Sequence, residues 1–209
     1  MSPAAIRYLH PSNLVTYVSA LAGLLAVLAA KDRQSWALAG ALIAVCALAD
    51  TLDGKFARLF ARTEDEQRFG VELDSLTDAL TFGLVPVVCV YLLRPPGSVA
   101  LRVVWSAAAF FYVVSAITRL GAYNLHHEES PGFVGLPTTV AGLIWSSVFL
   151  LEPTTALSVL VLLGCGVAMV STLPIPRPRG LGLVAFGGWA VALVILHGMS
   201  IFTAGTVSP

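Results

Sequence analysis

The sequence predicts an all-α, polytopic helical membrane protein, and three observations lead to that prediction. Only 11% of the 209 residues are charged, whereas a soluble domain has about 25%. Hydrophobic residues make up 57% of the chain, and the mean hydropathy is +0.84. Seven apolar runs each approach the roughly 20 residues that a membrane-spanning helix needs. We therefore expect six core transmembrane helices and a further C-terminal span.

Helix-breaking residues separate these runs. Asn13 follows Pro-Ser and can cap the first run, residues 95–97 (Pro-Pro-Gly) close the third, and Pro153 separates the fifth from the sixth. The seventh run contains Gly187 and Gly188, which could interrupt it. The predicted spans are residues 13–30, 35–58, 70–93, 99–121, 135–151, 154–173 and 181–199. No long linker divides them, so residues 1–209 are expected to form a single membrane domain.

Basic residues divide unequally between the two ends of the predicted helices. Lys31, Arg33, Arg94 and Arg102 lie at one end, and the other eight lie at the opposite end: Arg7, Lys55, Arg58, Arg62, Arg68, Arg119, Arg177 and Arg179. The positive-inside rule places the larger set in the cytoplasm, beside the head groups of membrane lipids. The net charge is zero, and nothing in the composition indicates a nucleic-acid partner.

Two pairs of aspartates lie at the cytoplasmic ends of apolar spans. Asp50 and Asp53 are three residues apart, and Asp74 and Asp78 are four apart, so on helices each pair shares one face. Four converging carboxylates repel one another, and a hard cation such as Mg²⁺, Mn²⁺ or Ca²⁺ would hold them together. Carboxylates on two adjacent helices suffice for a two-metal site that clamps a phosphoryl centre.

Small residues share the phase of these aspartates. Gly54 and Ala57 each lie four residues after an aspartate of the first pair, and Gly70 lies four before Asp74. Their lack of bulk leaves room for a ligand on the acidic face. The simpler alternative is that the aspartates only pair with neighbouring basic residues, namely Lys55, Arg58 or Arg62. All these positions fall on the same face of their helices, which favours a ligand site.

This pattern resembles the motif of the CDP-alcohol phosphotransferase family, Asp-x-x-Asp-Gly-x-x-Ala-Arg followed by a loop and Gly-x-x-x-Asp-x-x-x-Asp. All fixed positions of the motif are present, namely Asp50, Asp53, Gly54, Ala57, Arg58, Gly70, Asp74 and Asp78. The segment between Arg58 and Gly70 holds eleven residues, which is longer than the family's. The excess around residues 64–66 is polar and is expected to be a loop.

Within the family, the chain is similar to phosphatidylserine synthases. The similar segments are residues 69–86, 119–124 (Arg-Leu-Gly-Ala-Tyr-Asn), 135–137 (Gly-Leu-Pro) and 169–171 (Met-Val-Ser). Ala122 stands where that group has a second arginine, which could hold an acidic acceptor. The resemblance covers roughly residues 11–176, most of the chain.

The resemblance implies metal-dependent transfer of a phosphatidyl group from CDP-diacylglycerol to L-serine, giving phosphatidylserine and CMP. It implies Mg²⁺ or Mn²⁺ held by the four aspartates, with Asp78 also removing the proton of the acceptor hydroxyl. It implies a homodimer in the cell membrane, and the positive-inside bias places the active site on the cytoplasmic side. The residues implied to bind the CDP-lipid are Asp50, Gly54, Ala57, Arg58 and Gly70.

Arg119 and Asn124, at the cytoplasmic end of the fourth span, are candidates for binding the acceptor. An arginine there could hold a carboxylate or a phosphate. The alternative is an arginine that only extends to the interface.

Two alternative functions stay open at this point. The same chemistry could use inositol phosphate or glycerol phosphate as acceptor, or an archaeal CDP-ether lipid as donor. A divalent-cation transporter could also use these carboxylates. However, the chain has no paired half-repeats, and its acids cluster near one interface and not at the midplane of the membrane.

Overall fold

Each apolar run of the sequence is helical in the structure. The structure is a computed structural model, and it describes residues 5–126, 133–175 and 180–206. Two short 3₁₀ turns, Ala5–Tyr8 and Pro11–Asn13, precede the first helix. The helices are α1 (Leu14–Asp32), α2 (Trp36–Ala57), α3 (Glu64–Asp78), α4 (Val85–Leu93), α5 (Val99–His126), α6 (Thr138–Phe149), α7 (Thr155–Val170) and α8 (Leu181–Thr206). A two-residue strand, β1 (Phe133–Val134), pairs antiparallel with β2 (Pro174–Ile175). The predicted helical fold is confirmed.

Five helical stretches in the described residues are long and apolar enough to cross a membrane. They are Pro11–Asp32, Trp36–Ala57, Glu64–Leu93, Val99–Leu125 and Leu181–Thr203. The other two predicted spans are shorter helices, because α6 has 12 residues and α7 has 16. At 1.5 Å per residue they reach about 18 and 24 Å, less than the roughly 30 Å of the hydrocarbon core. The seventh predicted span is confirmed, since α8 continues through Gly187 and Gly188 without the interruption that these glycines could have caused.

The third span begins earlier than predicted. Residues 64–66, expected to be a loop, form the first turn of α3. The reason is a capping box: the Thr63 hydroxyl accepts from the Glu66 N–H at 3.3 Å, and the Glu66 carboxylate accepts from the Thr63 N–H at 2.8 Å. Acidic side chains in a first turn also interact favourably with the helix dipole. The connection between α2 and α3 is therefore short.

Helix α2 lies at the centre of the bundle and packs against α1, α6 and α8. Its Cys46 thiol donates to the Ser19 carbonyl of α1 at 3.3 Å, and the Ser19 hydroxyl donates to the Cys46 carbonyl at 3.4 Å. Close contact with α8 requires Gly40, because a Cβ there would lie 2.3 Å from the ring of His197. That ring is fully buried, with Nε2 3.0 Å from the Ser146 carbonyl oxygen of α6. These contacts hold α2 in place.

A π-helical segment, Ala79–Leu84, joins α3 to α4 directly after Asp78. Pro86 lies four residues after Phe82 and has no N–H to donate to the Phe82 carbonyl. The buried Tyr112 hydroxyl of α5 donates to that carbonyl at 2.7 Å. An inter-helix hydrogen bond thus supplies a donor where Pro86 has none.

The start of α6 is attached to the end of α7 through Gly135. This residue has φ +74°, and a Cβ there would lie 2.2 Å from the Met169 carbonyl oxygen. The Gly135 N–H donates to the Leu173 carbonyl, and the Leu136 N–H donates to the Ala168 carbonyl, both at 2.9 Å. The β1–β2 pair continues the same contact. This turn sets the position from which α6 begins.

Large apolar side chains cover much of the outer surface of the bundle. Examples from four helices are Leu24, Phe110, Leu160 and Phe202, which are 57%, 71%, 67% and 74% exposed. Such a surface is unfavourable in water and favourable in hydrocarbon, where helices satisfy their own backbone hydrogen bonds.

Candidate active site

Three aspartates from two helices converge at one point. Asp50 lies in the last turns of α2, and Asp74 and Asp78 lie on one face at the end of α3. One carboxylate oxygen from each lies within 4.8 Å of those of the other two. The predicted convergence of the two acid pairs is therefore found for these three residues.

Asp53 lies outside this group of three. Its carboxylate accepts a hydrogen bond from the Gly54 N–H and interacts with the side chain of Asp74. It is half-buried, whereas Asp78 is only 8% exposed. As a metal ligand, Asp53 remains a prediction.

Two threonines at the start of α6 donate hydrogen bonds to the acidic group. The Thr139 hydroxyl donates to Oδ2 of Asp50 at 2.8 Å, and the Thr138 hydroxyl donates to Oδ2 of Asp78 at 3.3 Å. Sequence reasoning missed both threonines. The available signal was their position directly after the Gly-Leu-Pro segment at 135–137.

The acidic group opens into a cavity of about 290 Å³. Apolar side chains form part of its wall, and polar groups from α2, α3, α5 and α6 form the rest. The lining residues are Asp50, Val71, Asp74, Ser75, Asp78, Arg119, Leu120, Tyr123, Asn124, Pro137 and Thr139. A cavity that combines an apolar wall with a few convergent polar groups is typical of small-molecule sites.

Both predicted acceptor-binding residues line this cavity. Arg119 is 8% exposed, and its guanidinium carbon lies 5.2 Å from the centre of the Tyr123 ring. It is also close enough to Asp78 to interact electrostatically. The Asn124 amide donates to the Ser75 hydroxyl at 2.9 Å. Arg119 is buried and interacts with Asp78 and Asp50, which argues against the alternative of an arginine that only extends to the interface. Ser75 and Tyr123 were not predicted.

The small residues of the motif lie beside the cavity and not in its wall. Gly54 is exposed, and a Cβ there would meet nothing within 4 Å. The Arg58 Nε–H donates to the Gly54 carbonyl at 2.9 Å, which holds this arginine along the end of α2. Gly70 lies near Arg62 and Asn13, 3.4 and 3.5 Å from the place of its Cβ. The roles of Gly54, Ala57, Arg58 and Gly70 in binding the CDP-lipid remain predictions.

Ala122, the departure from the phosphatidylserine synthase pattern, is exposed and is absent from the cavity wall. Residues 119, 120, 123 and 124 of α5 line the cavity, and at 100° per residue position 122 points away from their shared face. Ala122 itself therefore contributes nothing to the wall of this cavity.

The donor set fits a divalent cation. The three carboxylates offer oxygen ligands, which Mg²⁺ and Mn²⁺ prefer, and the distances between them suit a shared ion. Asp50, Asp74 and Asp78 can together hold a metal ion.

Comparison with known proteins identifies the family. A model of CDP-alcohol phosphatidyltransferases matches residues 9–173, which include both acid pairs, Arg119 and the start of α6. The chain belongs to the CDP-alcohol phosphatidyltransferase family. It is therefore an integral membrane enzyme, and family membership favours catalysis over the transport alternative.

Three relatives illustrate the similarity. An archaetidylserine synthase from Methanothermobacter thermautotrophicus is 31% identical over 81% of this chain and 71% of its own. A CDP-diacylglycerol–serine O-phosphatidyltransferase from Helicobacter pylori is 33% identical over 81% of this chain and 73% of its own. A protein of the same name from Mycobacterium bovis is 29% identical over 88% of this chain and 70% of its own. These names agree with the resemblance that the motif indicated.

Proposed function

We propose that this enzyme transfers the phosphatidyl group of CDP-diacylglycerol to the hydroxyl of L-serine, forming phosphatidylserine and releasing CMP. The observation that carries the proposal is the group Asp50, Asp74 and Asp78 at the wall of a cavity that also contains a buried arginine. The relatives named for serine transfer support the choice of acceptor.

Asp78 is the residue that we assign to proton removal. It is the most deeply buried of the three aspartates and lies in the cavity wall. Its carboxylate takes the proton of the serine hydroxyl as that oxygen forms a bond to the lipid-linked phosphorus. The bond between this phosphorus and the bridging oxygen of the diphosphate breaks, and the oxygen leaves with CMP. General-base assistance of this kind contributes roughly 10²–10⁴ in rate.

The metal ligands in this proposal are Asp50, Asp53, Asp74 and Asp78, and the ion is Mg²⁺ or Mn²⁺. Two ions would use the four carboxylates most completely. When bound, they supply positive charge opposite the diphosphate of the CDP-lipid. Asp50, Asp74 and Asp78 would hold that charge at the cavity wall, where Asp78 also serves as the proposed base.

Arg119 and Asn124 form the proposed acceptor subsite. A guanidinium binds a carboxylate through two parallel hydrogen bonds, so Arg119 suits the carboxylate of serine. The hydrogen-bonded side chains of Asn124 and Ser75 provide amide and hydroxyl oxygens that can accept from the ammonium group. In this proposal the CDP-lipid binds along Asp50, Gly54, Ala57, Arg58 and Gly70.

We further propose one domain, spanning residues 1–209, which forms a homodimer in the cell membrane with its active site facing the cytoplasm. The orientation rests on the positive-inside bias, and Lys55, Arg58, Arg62 and Arg68 lie on the α2–α3 side where the aspartates meet. Arg177 and Arg179, which contribute to the same bias, lie outside the described residues.

The direct test is CMP release by the purified protein in detergent, with CDP-diacylglycerol and Mn²⁺ or Mg²⁺. L-Serine, inositol phosphate and glycerol phosphate are compared as acceptors. The control is the Asp74→Asn variant, which lacks one of the three converging carboxylates. We expect release that depends on L-serine and stops on chelation. Release with another acceptor would overturn the choice of serine, and release that survives chelation would overturn the metal assignment.

A second lipid donor is a candidate because of one specific relative. The Methanothermobacter protein is named for archaetidylserine, the product expected from an archaeal CDP-ether lipid. The same assay with CDP-archaeol in place of CDP-diacylglycerol distinguishes the two donors. Since the reacting diphosphate is identical, we expect the difference to appear in KM and not in the requirement for serine.

A further inference from the structure

We propose that Thr138 and Thr139 are positioning residues that hold Asp78 and Asp50 in the orientation that binds metal. This inference rests on the proposed function of the acidic group. Neither threonine is part of the family motif that the sequence displays, and each acts through an aspartate and not through substrate.

Each of the two aspartates accepts a hydrogen bond from one threonine hydroxyl. The Thr139 hydroxyl lies 2.8 Å from Oδ2 of Asp50, and the Thr138 hydroxyl lies 3.3 Å from Oδ2 of Asp78. Thr138 is fully buried, so its hydroxyl has no access to bulk water. Successive residues of a helix point about 100° apart, and this angle lets one turn of α6 serve carboxylates from both α2 and α3.

A positioning role follows from the side-chain torsions of aspartate. The torsion that rotates a carboxylate is broad and roughly two-fold, so it is weakly restrained by the side chain itself. Carboxylates whose oxygens lie within 4.8 Å of one another also repel and would turn apart. A hydroxyl on Oδ2 restrains this rotation and offsets part of the repulsion, and a carboxylate has about four acceptor sites, so one such bond does not use up its capacity to bind a ligand.

The threonines can hold the carboxylates because the start of α6 is itself held. Gly135 approaches the Met169 carbonyl closely, the Leu136 N–H donates to the Ala168 carbonyl in the last turn of α7, and the Gly135 N–H donates to the Leu173 carbonyl just after it. The N-terminal turn of α6 also carries the positive end of the helix dipole toward the aspartates. The Gly-Leu-Pro segment therefore places two neutral donors and a partial positive charge against an acidic group.

The test measures metal binding without substrate. Mn²⁺ is titrated by calorimetry into the purified full chain carrying Thr139→Val or Thr138→Val, which remove the hydroxyl at nearly constant shape, and Thr139→Ser or Thr138→Ser, which retain it. Thr154→Val is the matched control. The Thr154 hydroxyl caps α7 through the Leu157 N–H at 3.2 Å, beyond the far end of α6. The apparent Tm, kcat and KM are recorded for every variant.

We expect Thr139→Val to weaken Mn²⁺ binding about 10-fold or more, within the 10–100-fold range known for partners of metal ligands. The longer bond predicts a smaller effect for Thr138→Val. Both serine variants should bind nearly as the wild type does, and Thr154→Val should lower the Tm but leave Mn²⁺ affinity unchanged.

Three results would overturn the proposal: unchanged Mn²⁺ affinity in both valine variants, equal losses in the serine and valine variants, or a comparable loss in Thr154→Val. Failure of the proposed function is a separate outcome. In that case the wild type binds Mn²⁺ and the valine variants bind it less well, but no acceptor yields CMP.

Discussion

Replacement of Tyr112 by phenylalanine tests how the π-helical segment beside the acidic group is stabilised. The substitution removes a hydroxyl that donates to the Phe82 carbonyl at 2.7 Å, at a point where both residues are fully buried. It keeps the ring, which packs edge-on against Trp145 with centroids 6.2 Å apart. The change in free energy therefore reports the interactions of the hydroxyl, which also contacts the side chain of Trp145.

The free energy of unfolding is expected to fall by about 1–2 kcal/mol. This lies between the cost of a buried unsatisfied carbonyl and the smaller values measured for hydrogen bonds inside membranes. For a chain of this length that loss lowers the Tm by about 2–8 °C. The assay is thermal unfolding in detergent at one scan rate, followed by CMP release from the folded variant. Tyr91→Phe is the control, because Tyr91 is 40% exposed and also packs on a tryptophan.

A second variant tests the stated cause. If the Phe82 carbonyl needs Tyr112 because Pro86 has no N–H, then Tyr112→Phe should cost less in a Pro86→Ala background, where an N–H is restored. An unchanged Tm in Tyr112→Phe would refute the argument that this hydroxyl supplies a needed donor. The same cost in both backgrounds would refute the role assigned to Pro86.

Three further predictions concern catalysis and the turn before α6. Asp78→Asn should lower kcat by roughly 10²–10⁴ and weaken CDP-diacylglycerol binding far less; equal losses in kinetics and in a binding titration would contradict a base. Arg119→Gln should raise the KM for L-serine about 10-fold with Mn²⁺ affinity retained, as expected from loss of a hydrogen bond to a charged group; an unchanged KM would place the acceptor elsewhere. Gly135→Ala should lower the Tm and the yield of folded protein, because its Cβ would lie 2.2 Å from the Met169 carbonyl oxygen; Gly164→Ala, where a Cβ meets nothing within 4 Å, should not, and similar losses in both would argue against that close approach.

Some features of the fold were predictable from local sequence and one was overlooked. The spacing of the aspartates placed each pair on one helical face, and the structure brings Asp50, Asp74 and Asp78 together. The early start of α3 was also visible in principle, because Thr63 and Glu66 form the Ser/Thr-x-x-Glu pattern of a capping box. Polarity at residues 64–66 had suggested a loop, but acidic residues are favoured in a first helical turn.

Other features could not be predicted because they depend on close contacts between distant segments. The need for Gly40 follows from the position of the His197 ring, more than 150 residues along the chain. Ser75 differs little from other serines in the sequence, and only its contact with Asn124 brings it into the cavity wall. Pattern and propensity act within one element, whereas these contacts arise from packing between elements.

The sequence by itself determined the membrane class, the succession of helices, the family motif and the two helical faces that carry the aspartates. Apolar composition indicates that the surroundings are a membrane, and the 3.6-residue period indicates which side chains share a helical face. Neither depends on how the helices pack together. The tertiary structure decided which carboxylates meet, that Asp53 contacts Asp74 without joining the closest three, and that α6 supplies hydroxyl donors to Asp50 and Asp78. Thr138 and Thr139 lie 60 and 89 residues from the aspartates they contact. Only the packing of α6 against α2 and α3 brings those atoms within hydrogen-bonding distance.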